Sequence, residues 1–99
     1  MQITITGRHL DLYKGFKEDV NQKIPKLEKF DVDIRYVDVV LDKQGSVTTL
    51  ELKIGLDHHD PLILTSSEEP VRNALDAVIA KAERQLRRTR KKDLEGRCR

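Results

Sequence analysis

Between Val47 and Leu56 the chain alternates: Leu50, Leu52, Ile54 and Leu56 fall on one side, Thr49, Glu51 and Lys53 on the other. A period of two with one apolar row describes a strand that is buried on one face and wet on the other. Such a strand needs neighbours in a sheet and a second layer over its apolar row. Ile34–Leu41 is the strand to pair with it, and Gly45, within Asp42-Lys-Gln-Gly-Ser46, supplies the turn between them. Gln2–Thr6, with Ile3 and Ile5 alternating up to Gly7, predicts a short first strand. The connector Asp57-His-His-Asp-Pro61 leads to another at Leu62–Thr65.

Two helical periods supply the covering layer. After Asp11, the residues Leu12, Phe16, Val20, Ile24 and Leu27 recur at spacings of three and four. Pro25 interrupts that run; it lacks a donor and crowds the carbonyl of Asn21. A kink or an early end is therefore expected near Ile24, and because the apolar period continues through Leu27 and Phe30, a kinked helix rather than two separate ones. A second helix starts after Ser66 and Ser67 as caps, with Glu68, Glu69 and Pro70 in its first turn. Val71, Leu75, Val78, Ala82 and Leu86 form its stripe. The order is β-α-β-β-β-α, and the class is α+β: a two-layer sandwich of one four-stranded sheet with two helices on one face.

Ninety-nine residues fit one small domain with a core of its own. Its expected extent is 1–92, with 93–99 as a basic, mobile tail. Charged residues make up 36% of the chain, yet the clear apolar periods argue against disorder. The single cysteine, Cys98, can form no internal disulfide, which fits a reducing compartment. The first twenty residues lack a signal-peptide core and no apolar run reaches eighteen residues, so a cytoplasmic protein without a membrane partner is expected.

The charge is divided unevenly. Residues 81–99 hold nine of the nineteen Lys and Arg against Glu83, Asp93 and Glu95, a balance of +6. Residues 1–80 hold ten bases and fourteen acids, a balance of −4. Clustered cations suit a polyanion, although the last turn of any helix also favours Lys and Arg. On a helical wheel Arg84, Arg87, Arg88 and Lys91 lie opposite the apolar stripe, flanked by Lys81 and Lys92. No acid interrupts this group, and arginine forks match phosphate oxygens. In the first helix Lys14, Lys17, Lys23, Lys26 and Lys29 are interleaved with Glu18, Asp19 and Glu28, which is the pattern of pairing within a helix.

Other chemistry finds little support. Phe16 and Phe30 fit the core, and of the two tyrosines only Tyr36 is placed to stack a base, so a platform for unpaired bases is absent. Shape and phosphate recognition of folded RNA suits the chain better. His58-His59-Asp60 reads as a solvated turn with no second ligand cluster, His9 being the only other histidine. Ser46, Ser66 and Ser67 lack the context of a nucleophile, and Asp31/Asp33 and Glu68/Glu69 are explained by turns and caps. No enzyme activity and no cofactor are expected.

Ala74-Leu-Asp76 followed by Lys81-Ala-Glu-Arg-Gln-Leu-Arg-Arg88 is similar to the pattern of ribosome hibernation-promoting factors. Met1-Gln-Ile-Thr-Ile-Thr-Gly7 and Lys23-Ile-Pro-Lys-Leu-Glu-Lys29 also resemble that family, over nearly the whole chain to about Lys92. The resemblance implies a double-stranded-RNA-binding-domain-like fold. It also implies binding to the small ribosomal subunit and its ribosomal RNA, in the tRNA and mRNA channel near the decoding centre, where members silence ribosomes under stress or in stationary phase. Carried over by position, the contacts are Lys81, Arg84, Arg87, Arg88, Arg90, Lys91 and Lys92, with Lys23, Lys26 and Lys29 in support. The chain ends where long members continue into a dimerisation domain, so it resembles the short form, a monomer off the ribosome that acts beside a separate ribosome modulation factor. Pro25 and Glu69-Pro-Val71 depart from the family's usual pattern. Two rival readings are a module that binds an acidic regulatory partner and a general binder of structured RNA.

Overall fold

The computed structural model describes the backbone of residues 2–30 and 32–97 and the side chains of 2–30 and 32–92. Its elements are β1 (Gln2–Arg8), α1 (Phe16–Lys23), a 3-10 segment (Ile24–Phe30), β2 (Ile34–Gln44), β3 (Val47–Leu56), β4 (Leu62–Ser66) and α2 (Val71–Arg97). The order β-α-β-β-β-α is observed, with one four-stranded sheet covered by the helices. Asp31, Cys98 and Arg99 lie outside the described residues.

The strands follow one another across the sheet as β1-β2-β3-β4. β1 runs parallel to β2 from Gln2↔Tyr36 to Arg8↔Asp42, and a parallel pair needs a crossover, which α1 and the 3-10 segment supply. β2 and β3 are antiparallel and Gln44 pairs with Val47, so the turn is Gly45-Ser46 alone. Gly45 sits at φ 62°, a left-handed value that a two-residue hairpin turn of this kind requires. Asp42, Lys43 and Gln44, expected in the turn, instead extend the ladder opposite Thr49, Thr48 and Val47. β4 closes the sheet antiparallel to β3, from Ile54↔Leu62 to Leu50↔Ser66.

The alternation places Val37, Val39, Leu41, Leu50, Leu52 and Ile54 on the inner face, where all are essentially fully buried. Phe16, Val20, Ile24 and Leu27 meet them from the first helical region, and Ala74, Leu75, Val78, Ala82 and Leu86 from α2. Each large aliphatic side chain buried in this way contributes about 1.5–3 kcal/mol.

Both helix starts differ from expectation. α1 begins at Phe16, not after Asp11; Gly15 precedes it at φ 87°, and Leu12 packs from the loop instead of from a first helical turn. Tyr13 closes this start: its hydroxyl donates to Asp19 at 3.0 Å. Burial, followed by that hydrogen bond, raises its phenol above the ordinary value, against the pull of Arg72. Ser66 ends β4 and its Oγ accepts from the Glu68 amide at 3.3 Å, while Ser67 meets Thr49 at 3.0 Å, so neither serine caps α2. The carbonyl of Pro70 accepts the first amides, Asn73 at 2.9 Å and Ala74 at 3.4 Å, and no acid stands in the first turn. Two adjacent serines resemble a cap in sequence; strand pairing claimed one of them first.

Before Pro25 the α-helix ends early, as one of the two expectations had it. The path then tightens: α1 ends at Lys23 and the chain continues as a 3-10 helix to Phe30. Pro25 has no amide to give the Asn21 carbonyl, and a 3-10 path does not need that bond. In 3-10 geometry residues three apart eclipse. Ile24, Leu27 and Phe30 therefore form one row toward the core, and Lys26 and Lys29 continue a second row that starts at Lys23.

Candidate nucleic-acid interface

α2 has 27 residues, a length of about 40 Å. Among its described side chains the last fully buried one is Leu86, and the helix runs roughly 16 Å further along its axis toward Arg97. The molecule measures 50 × 21 × 18 Å in consequence. Arg84, Arg87, Arg88, Arg90, Lys91 and Lys92 gather along the last turns whose side chains are described.

Arg84, Arg87, Arg88, Lys91 and Lys92 are exposed, and Arg90 is half-buried. Among the described residues, none of Arg84, Arg88, Lys91 and Lys92 forms an ion pair. Lys81 points toward the sheet edge, where its Nζ donates to the Thr65 carbonyl at 2.8 Å. That bond ties α2 to β4 without neutralising the ammonium. The structure thus gathers Arg84, Arg87, Arg88 and Lys91 on one outer face, with Lys81 at its flank.

The other three expected residues have different company. Lys23 pairs with Asp76 of α2 at 2.6 Å. Lys23, Lys26 and Lys29 line an open groove of about 310 Å³ against Asp76, Ile79, Ala80 and Glu83. The pairing crosses between elements instead of running within the first helix. Lys29 Nζ stands 5.2 Å from the centre of the Phe30 ring, and the guanidinium of Arg87 stands 5.4 Å from the same ring. Phe30 was expected in the core; it is half-buried, packed against the core while its ring carries two cations. Sequence inspection missed this ring, and the spacing Ile24-Leu27-Phe30 was the signal that its row ends at the rim.

The outer sheet face is of opposite character. Tyr36 lies there half-buried, its ring laid over Gly55; a Cβ on Gly55 would sit 2.0 Å from Tyr36 Cε1. Asp38, Asp42 and Glu51 share that face with Arg8 and Lys53. His9 bonds Asp42 at 3.0 Å, and His58, exposed at φ 66°, lies 3.5 Å from Asp57. One side of the molecule is thus basic and the other mixed and slightly acidic.

Residues 3–93 match the family described as sigma 54 modulation protein / S30EA ribosomal protein. No curated protein matches the chain. Among solved structures, the N-terminal domain of Protein Y from Thermus thermophilus superposes with a TM-score of 0.76 at 21% identity, covering 90% of this chain and 99% of that one. A ribosomal subunit interface protein from Coxiella burnetii gives 0.80 at 16% identity, covering 90% and 97%. At these identities the likeness establishes the fold. No helix among the described residues is long and apolar enough to cross a membrane.

Proposed function

The chain belongs to the sigma 54 modulation protein / S30EA ribosomal protein family, and from that premise we propose that it is a ribosome hibernation factor. Residues 1–92 bind the small ribosomal subunit in the tRNA and mRNA channel, near the decoding centre, and silence it under stress or in stationary phase. The outer face of α2 lies against ribosomal RNA. Arg84, Arg87, Arg88 and Lys91 take phosphate oxygens, and Lys81, Arg90 and Lys92 extend the contact. Lys26 and Lys29 reinforce it from the 3-10 segment, while Lys23 serves first in its pair with Asp76.

The observation that carries this reading is the exposed set Arg84, Arg88, Lys91 and Lys92, which pairs with no acid among the described residues, on a helix that outruns the core. A protruding basic rod can straddle a phosphate ridge, and Arg forks fit phosphate oxygens pairwise. Inhibition is then steric and electrostatic occupation of a channel meant for other nucleic acids, with no reaction step.

Sedimentation of the purified protein with small subunits, at rising salt and with competing tRNA, tests the proposal. With six to nine phosphates neutralised, log affinity falls against log salt with a slope of roughly −4 to −8. Competition by tRNA places the site in the channel. Binding that ignores both salt and tRNA refutes the assignment, and binding that survives removal of RNA turns attention to an acidic protein partner.

A further inference from the structure

A carboxylate and an aromatic ring hold a cation in different ways. Asp76 takes up the charge and a donor of Lys23 at 2.6 Å. A ring takes only the face of a guanidinium or one side of an ammonium, leaving the charge and the edge N–H donors available. Phe30 does this twice, for Lys29 of its own segment at 5.2 Å and for Arg87 of α2 at 5.4 Å. The ring also packs against the buried core, which restricts the rotamers open to it.

We infer that Phe30 is a positioning residue that joins the lysine row of the 3-10 segment to the arginine face of α2, making one pre-organised phosphate-binding surface out of two elements. The inference rests on the RNA-binding role proposed above and deepens it. Long basic side chains lose rotamer freedom when they grip a phosphate, and a ring that orients them beforehand removes part of that cost. The 3-10 geometry is what makes the joint possible. Eclipsing at every third residue sets Phe30 directly beyond Leu27, at the end of the apolar row, where α2 passes over it. Asp76 stands at the other end of the groove, where Lys23 is already paired, and Glu83 lines it between Asp76 and Arg87 on α2.

The test compares Phe30→Leu, which keeps an apolar body and removes the π face, with Phe30→Tyr, which restores it. Retention on small subunits should fall about three- to tenfold for Phe30→Leu and return to the parent level for Phe30→Tyr. In a Lys29→Gln, Arg87→Gln background Phe30→Leu should cost nothing further. Should Phe30→Leu unfold, the free parent protein decides: ring currents must shift the Arg87 δ-CH2 and Lys29 ε-CH2 proton resonances upfield, and their absence overturns the geometry. Unchanged retention in Phe30→Leu, an equal loss in the double background, or a Tyr variant as weak as Leu overturns the positioning role. If reversal of Arg84 and Arg88 abolishes binding while Phe30→Leu leaves retention unchanged, only the joint fails. If the parent protein is never retained, the RNA-binding role falls and the joint with it.

Discussion

Lys23, Lys26 and Lys29 look across a groove at Asp76 and Glu83, whereas Arg84, Arg88, Lys91 and Lys92 look into solvent. The second segment is the denser in cations, with six in residues 84–92 against three in residues 23–29. The two also differ in what the fold sets beside them. The first lies where two elements pack, so an acid of α2 reaches Lys23 and a ring receives Lys29. The second lies on the outer face of α2 around and beyond Leu86, turned away from the core, and no described carboxylate pairs with it. Number of cations is therefore not the whole guide to an anion site; charge left unpaired among the described residues separates the two segments as well.

The sharpest way to break this contrast is charge reversal. Arg84→Glu with Arg88→Glu should weaken ribosome retention by about 10²–10³-fold at moderate salt, with the circular dichroism spectrum unchanged. Lys23→Glu with Lys26→Glu should cost no more than about tenfold. Equal losses would erase the distinction between the two segments. A second approach removes the anchor that lets α2 project. Leu86→Ala leaves a cavity under the last packed turn and should cost about 2–4 kcal/mol in denaturant unfolding, with binding lowered in step with the folded fraction. A stable variant would mean that the helix end is held by something other than the core.

Smaller changes sharpen the comparison. Gly55→Ala must push the Tyr36 ring off the sheet and should cost about 1–2 kcal/mol while leaving salt-dependent retention untouched, since that face lies away from the basic one. Asp76→Ala should change stability by less than about 1 kcal/mol, because the pair with Lys23 is largely exposed. It should nevertheless tighten retention about two- to threefold by freeing Lys23 for phosphate. Weaker retention in that variant would show that Asp76 orients the lysine instead of spending it.

Much of this was legible in the chain. Alternation in Val47–Leu56 assigned the inner row of that strand residue by residue, and Leu50, Leu52, Ile54 and Leu56 are all buried. The α2 stripe from Leu75 to Leu86 was equally plain. The helix starts were not. Asp11 and the pair Ser66-Ser67 carry cap chemistry, but a turn at Gly15 and strand pairing at Ser66 settled the boundaries instead. Pro25 announced a disturbance without saying which; the tightening into a 3-10 helix depends on keeping Ile24, Leu27 and Phe30 against the core.

By itself, the sequence determined the element order, the buried faces and the place where positive charge accumulates. Those are local properties, written in the periods of neighbouring residues, and they need no knowledge of distant contacts. Only the tertiary structure decided that β1 lies parallel to β2, that Lys23 meets Asp76 across 53 positions, that Lys81 reaches the Thr65 carbonyl, and that Arg87 rests on Phe30. Pairings of that kind arise when packed layers bring remote segments within a few ångströms. A period shows which way a side chain faces, and packing alone sets what it meets there.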